Sequence, residues 1–518
     1  MKKPFGIKQW VLYCVAAPVA LWLGILFVVN RYYMYDIDKT FPSPGFRSVV
    51  LSYLDLNHDG KLSWSEAGKV RELHLDNMDD LRDLRGIEVF RNLEELDCRY
   101  GYLTELNLSG NRKLTRLNCS NNLLYELDLR ANPGLLQLNC NDNCVKTLLL
   151  SRKSKLEALA ISNNLLTSLP LRIETLKDLE CSNNSLTELD LSAVPELTGL
   201  VCNKNHLKSL DLRSLKHMNS LHCDNNDLEE LLLWSDENCD DEKYEYISCM
   251  NNRIRELNLS GLRNLQILYC ANNHIGQLDV SRFPELETLH FSNNHVSQLD
   301  VSGNPILQLL FCDNNPFSKD FELDISNNPD LTYLGVRNIG LTTLDVTHCP
   351  RLHALYVSEN PLEKLDLSGN PNLDTLECNA TGLQELVLGE KLFLSKLACK
   401  SNRIRKLDLS KCPVIQEVDC SQNEITELLL GDSPRLMSLF CTENLFTELR
   451  LHFAEDWVYM DMAHLQCASN PQLTDIYLNV APFDFIKDPG VTVHETGPYW
   501  EEEYEEPEDF PEDSEVES

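Results

Sequence analysis

The sequence predicts an α/β-type solenoid: a stack of short parallel strands with an irregular outer side. Three observations lead there. Cysteines recur at a fixed period of 21 residues, the same phase holds an apolar residue where cysteine is missing, and 518 residues exceed what one hydrophobic core can organise. A solenoid escapes that limit because each unit buries its face only against its neighbours.

The period is visible in Cys98, Cys119 and Cys140, again in Cys181, Cys202 and Cys223, in Cys249 and Cys270, and in Cys378, Cys399, Cys420 and Cys441. Ile161, Phe291, Val336 and Val357 stand in the same phase, and Cys312 completes seventeen units. The slot therefore demands a medium-sized apolar side chain, and thiol chemistry is optional.

Each unit follows the pattern L-x-x-L-x-C-S-x-N-x-L-x-x-L-D-L-S-x-N-P-x. The alternation in L-x-C marks a short strand with every second side chain inward. Asparagine stands three residues after the column position in fourteen of seventeen units, from Asn122, Asn143 and Asn164 to Asn444. Its amide both donates and accepts, which suits it to fix the backbone of the turn leaving each strand. Over roughly residues 70–480 the pattern resembles the leucine-rich-repeat family, and within it the bacterial internalin-like surface proteins that carry a cysteine ladder. The resemblance implies an arc whose concave side is a parallel sheet of about nineteen short strands, with an irregular convex side.

Nineteen cysteines in an exported chain would ordinarily suggest disulfides. Thirteen of them, however, lie in one column where Cβ vectors run parallel rather than converging, so free buried thiols are expected. Cys144, Cys239, Cys349, Cys412 and Cys467 fall outside the column by spacing. No C-x-x-C occurs, which removes the zinc and thioredoxin-like readings.

The chain divides into four parts. Residues 1–30 hold Lys2, Lys3 and Lys8 followed by the uncharged run "WVLYCVAAPVALWLGILFVV" at 10–29, long enough to cross a bilayer. With no small-x-small site behind it, the run reads as an uncleaved signal anchor. The lysines keep the N-terminus cytoplasmic, giving a single-pass membrane protein with its repeats in the periplasm or at the cell surface. Residues 31–72 form a cap, 73–480 the repeats, and 481–518 an acidic tail ending in "YWEEEYEEPEDFPEDSEVES", expected to be disordered. A net charge of −34 excludes nucleic acid as a partner class. No sorting signal or second apolar span occurs toward the C-terminus, a departure from wall-anchored internalins.

The cap contains "DLNHDGKLSWSE" at 55–66, which resembles an EF-hand calcium loop at every required position. Asp55, Asn57 and Asp59 place hard oxygens on alternate residues, Gly60 permits the sharp turn, the Lys61 carbonyl and Ser63 hydroxyl add ligands, and Glu66 closes the sphere. "SPGFRSVVLSYL" before the loop has apolar residues at helical spacing, and "SEAGKVREL" after it begins with a capping Ser and Glu. A helix-loop-helix cap with one structural calcium ion, closing the open end of the solenoid, is the expectation. The other reading is a calcium-free turn of the same shape.

No catalytic constellation stands out: G-x-S-x-G and H-E-x-x-H are absent, so no enzyme is expected. His274 and His295 share one phase and read as turn residues. The positions one and three before the column should face outward from the sheet. In early coils these are polar, as in Asp97, Asn118, Asn139 and Glu180, and late coils return to Glu377, Lys396, Glu417 and Asp419. Between them stand Tyr246, Ile267, Tyr269, His290, Leu309, Phe311, Tyr333 and Tyr356. A contiguous aromatic stripe on an acidic chain marks a partner-binding face; cross-strand packing is the bland alternative. The insertion in "LLLWSDENCDDEKYEYIS" breaks the period beside it. Together these features indicate a membrane-anchored, exported protein that binds a protein ligand through this face. The alternatives are glycan binding and a structural envelope role without an external ligand.

Overall fold

The computed structural model describes residues 34–75, 81–234, 244–431, 435–453, 463–482 and 484–495. Two compact units result, residues 1–265 with 272–274, and residues 266–271 with 275–518.

The first unit opens with the cap. Its entering segment is a helix at Pro44–Val49 that continues as a π turn at Val50–Leu54. Within the loop, Leu62–Ser63 pairs antiparallel with Met34–Tyr35, and a single helical turn follows at Trp64–Ala67. The helix N-cap is Ser63, in a reciprocal capping box with Glu66, rather than the Ser65 of "SEAGKVREL". The exiting helix is thus one turn long, because Gly68 ends it and the chain enters the first strand at Glu72. Phe41 and Phe46 meet edge to face at 5.4 Å, and Phe41 stacks on Phe90 at 6.0 Å, so aromatic rings of this segment pack on the core of the first coil. Gly86, at φ 100°, lies against Phe41; a Cβ there would collide with the ring.

Nine three-residue strands then pair in parallel, each in register with the next, from Glu72–His74 through Glu95–Asp97 and Arg116–Asn118 to Tyr246–Ser248. The central residue of each (Leu96, Leu117, Leu138 and onward) is buried and its neighbours are mostly half-buried or exposed, the alternation read from L-x-C. The second unit repeats the design in eleven strands, from Ile267–Tyr269 through Thr288–His290 to His464–Gln466 and Asp484–Ile486. Parallel strands with the 21-residue period confirm the solenoid. Strands at Asp484–Ile486 and Thr492–Glu495 carry the coils past residue 480, into the stretch expected to be tail.

Two devices turn the chain after each strand. The ladder runs on through the column residue, as when the Cys119 N–H donates to the Asn139 carbonyl at 2.8 Å. Two residues later the backbone enters the left-handed region, at Asn121 (φ 55°), Asn183 (φ 52°) or Asn225 (φ 56°), where asparagine is among the best-tolerated side chains. The next asparagine ties adjacent coils together. Nδ2 of Asn122 donates to the carbonyls of Cys98 (2.9 Å) and Cys119 (3.1 Å), while its Oδ1 accepts the Leu103 N–H (3.0 Å).

The outer side is less irregular than expected. The L-D-L segments pair in short groups, such as Glu126–Leu129 with Thr147–Leu150 in the first unit and Lys364–Asp366 with Glu385–Val387 in the second. The aspartate then closes a turn: Oδ1 of Asp366 accepts both the N–H and the hydroxyl of Ser368, which holds its carboxyl below the usual range.

All seventeen described cysteines are free thiols. Cys467 belongs to the column despite its spacing: it follows the strand His464–Gln466, and Asn470 takes its carbonyl at 2.7 Å. The coil between Cys441 and Cys467 is simply longer. Burial pushes the column thiols up, to about 12 at Cys119, Cys181 and Cys378, so they are inert fillers rather than nucleophiles.

Candidate binding face

In the second unit the strands bring the expected aromatic residues side by side. His290 lies 6.2 Å from Tyr269, edge to face, and 5.4 Å from Phe311, ring centre to ring centre. Phe311 reaches Tyr356 at 6.0 Å across an intervening strand, which is possible because that strand holds Gly335, where any Cβ would strike the Phe311 ring. Glycine is there for a neighbour's side chain, not for its own backbone. Ile267 and Leu309 lie half-buried at the other end of their strands, and Tyr333 is the most exposed member.

The far end of this ladder is polar. The Arg337 guanidinium sits 4.3 Å above the Tyr356 ring and pairs with Glu377 at 2.7 Å. The Arg337 N–H is received by Asp313, a buried carboxylate that also accepts the Ser292 hydroxyl. Sequence reasoning missed Arg337 because it considered only positions before the column, and passed over Gly335, which stands at such a position, because it has no side chain to offer a partner. Since the ladder continues through the column residue, the position just after it also borders the sheet, and an Arg or Asp there is the available signal. Burial lowers the His290 imidazole below its usual value against a weaker opposing pull from Asp313, so the ring is neutral at pH 7 and the stripe stays apolar.

The first unit carries Tyr246, stacked on His222 at 4.3 Å. Burial likewise lowers the His222 imidazole. Earlier strands of this unit form a hollow floored by Ala158 and Ala160 and lined by Glu95, Asp97, Asp178 and Glu180, with the amides of Asn118, Gln137 and Asn139 between them. Arg116 there pairs with Glu95. Part of the insertion, residues 235–243, lies outside the described residues, and Tyr244 returns the chain to the core fully buried. His274 and His295 are exposed turn residues.

The loop at 55–66 holds its own shape. Asp55 accepts the N–H groups of Asp59 and Gly60, Asn57 Oδ1 accepts that of Asp59, and Asp59 Oδ1 that of Lys61. Glu66 Oε1 accepts from the Leu56 and Asn57 amides (3.0 and 3.3 Å), and Oε2 from the Ser63 amide and hydroxyl (2.9 and 2.7 Å). The carboxylate that would close a coordination sphere is thus committed to the loop's own donors. Among the described residues no group of three or more His, Cys, Asp or Glu is placed to hold a metal ion. No helix among them is long and apolar enough to cross a membrane, and the expected span at 10–29 lies outside them.

Residues 263–304 match the family described as Leucine Rich repeats (2 copies). No curated protein sequence matches the chain. Among solved structures, the functional domain of InlJ from Listeria monocytogenes, which includes a cysteine ladder, is 23% identical, with 86% of this chain and 81% of that one covered and a TM-score of 0.53. YopM from Yersinia enterocolitica is 22% identical over 81% of this chain and 91% of that one, TM-score 0.56. The Arabidopsis receptor kinase HAESA, solved with the peptide hormone IDA and the co-receptor SERK1, is 15% identical over 79% of each chain, TM-score 0.53. Identities this low establish a shared fold. Repeat pattern, the family match over residues 263–304 and the shared fold agree on a leucine-rich-repeat solenoid, the fold this chain has in common with InlJ.

Proposed function

We propose that the chain is an exported, membrane-anchored protein that recognises a protein ligand through the aromatic face of its second unit. The supporting observation is the pre-formed ladder Tyr269, His290, Phe311 and Tyr356, ending in the Arg337–Glu377 pair. Rigid aromatic side chains beside an ordered charge pair give contact area at low entropic cost, the usual composition of a binding hot spot. Leucine-rich-repeat solenoids present such sheets as binding surfaces, and the HAESA structure contains a peptide ligand. The test is capture of envelope and surface proteins by the full chain, beside a Tyr269→Ala, Phe311→Ala, Tyr356→Ala variant with an unchanged melting temperature. We expect a partner whose affinity falls at least about tenfold in the variant, since hot-spot truncations cost about 2 kcal/mol or more each. Equal capture by both proteins would remove this face from the function, and release by free sugars would favour a glycan ligand.

Calcium at the loop 55–66 is a separate proposal carried by the ligand pattern. An ion would have to draw Glu66 away from the Leu56 and Asn57 amides. The expected result is a rise of a few degrees in melting temperature with calcium, absent in Glu66→Ala. Superimposable melts of the wild type in calcium and in chelator would end this reading.

A further inference from the structure

Large apolar side chains that remain exposed are concentrated at one end of the chain: nine of the fourteen among the described residues fall between Tyr53 and Leu165. Five of these, Tyr100, Tyr102, Leu123, Tyr125 and Leu165, are 44–53% exposed and sit on the turn just past the column position in the coils that begin at Cys98, Cys119 and Ile161. The coil between them contributes Cys144, half-buried, and Lys146. Backbone bonds stack these turns directly: Tyr102 N–H to Leu81, Leu123 N–H to Leu103, Cys144 N–H to Leu124 and Leu165 N–H to Val145, all 2.9–3.0 Å. The row is therefore one continuous surface. It stops at the next coil, and in the four coils from Cys181 to Cys249 the equivalent positions are Ser185, His206, Asp227 and Arg253.

Cations border it. Arg82 lies 5.4 Å from the Tyr102 ring centre and Lys146 Nζ 4.8 Å from that of Tyr125, with Glu105 and Glu126 beyond the aromatic row. Tyrosines and leucines interleaved with Arg and Lys are what a headgroup region selects: rings at the boundary, cations at phosphate. Chain geometry supplies the location. If 10–29 spans the bilayer, Met34 follows the span by five residues, which reach at most about 18 Å in any conformation. The coils nearest the cap are thus held near lipid, and those are the coils that carry the patch.

We propose that the turn edge of the four coils that begin at Cys98, Cys119, Cys140 and Ile161 lies on the membrane surface, with Tyr100, Tyr102, Leu123, Tyr125 and Leu165 at the headgroup boundary and Arg82 and Lys146 toward lipid phosphates. This rests on the reading of residues 10–29 as a span. The first unit would then be held in one orientation at the bilayer rather than tumbling on a tether.

Cys144 is a native reporter within the row. The full chain is reconstituted into phosphatidylethanolamine and phosphatidylglycerol liposomes, and retention after carbonate washing is checked. The liposomes carry a small fraction of maleimide-headgroup phosphatidylethanolamine; a parallel sample receives a soluble maleimide, and adducts at Cys144 are read by peptide mass spectrometry. The expected result is a lipid adduct on most molecules, reduced at least fivefold in a Tyr102→Ser, Leu123→Ser, Tyr125→Ser variant that the soluble reagent labels as fast as wild type. Labelling by the soluble reagent with no lipid adduct overturns the proposal while the span stands. Labelling by neither shows that a second copy or another protein covers the edge, which also overturns it. A chain removed by carbonate refutes the span, and the seat with it.

Discussion

Asn205→Ala is expected to cost about 1–3 kcal/mol of stability, and Asn205→Asp more, although both leave the column intact. Nδ2 of Asn205 donates to the carbonyls of Cys181 (3.0 Å) and Cys202 (3.1 Å), and Oδ1 accepts the Leu186 N–H (3.0 Å), all buried. Alanine leaves the Leu186 N–H without its acceptor, at about 1–3 kcal/mol for a buried group left unsatisfied, while the two carbonyls each keep a second donor, Asn184 Nδ2 on Cys181 and Asn226 Nδ2 on Cys202. Aspartate keeps the acceptor but turns a negative oxygen toward two carbonyls. Urea unfolding of the two variants beside Ser185→Ala, at an exposed turn position in the preceding coil, measures this directly. A loss below about 0.5 kcal/mol for Asn205→Ala would mean that the ladder is decoration on a hydrophobic stack.

The period, the buried column and the asparagine were legible because each is dictated by one-dimensional stacking: every coil meets the same neighbours, so the same residue types recur. Where coil length changes, that signal breaks. Cys467 was placed outside the column by its 26-residue offset from Cys441, and only its position after the strand His464–Gln466 puts it inside. The aromatic stripe was legible because alternation on a strand assigns its faces. Its organisation was not, since Phe311 spanning Gly335 and Arg337 lying over Tyr356 are contacts between coils, which no single repeat encodes. The cap shows the opposite limit. A full ligand pattern at 55–66 specifies residue types, yet the same carboxylate of Glu66 that a metal would need also suits a capping box, and spacing alone does not separate the two.

Lys391→Met is expected to destabilise the protein by about 2–3 kcal/mol, whereas Lys391→Asn should change it by less than about 1 kcal/mol. On the outer side a second asparagine column runs through Asn111, Asn132, Asn304, Asn328 and Asn370, whose Nδ2 groups take two carbonyls each, as Asn370 does with Val346 and Cys349 at 2.9 Å. In all five the Oδ1 atom is buried and accepts nothing from the described residues. This slot therefore uses only the donor half of the amide, unlike the column at Asn205, and a pure donor can replace it. Lys391 does so: fully buried, its ammonium reaches the carbonyls of Leu367 (2.9 Å) and Leu388 (2.5 Å). Burial lowers its pKa against the opposing pull of Cys412 and Asp366. Methionine matches the stem but leaves the Leu388 carbonyl without its donor and takes one of two from Leu367, which keeps the Asn370 N–H, while asparagine restores the donor found in neighbouring coils. Chemical denaturation of both variants distinguishes the cases, and equal losses would show that this position needs the length of the lysine rather than its hydrogen-bond donors.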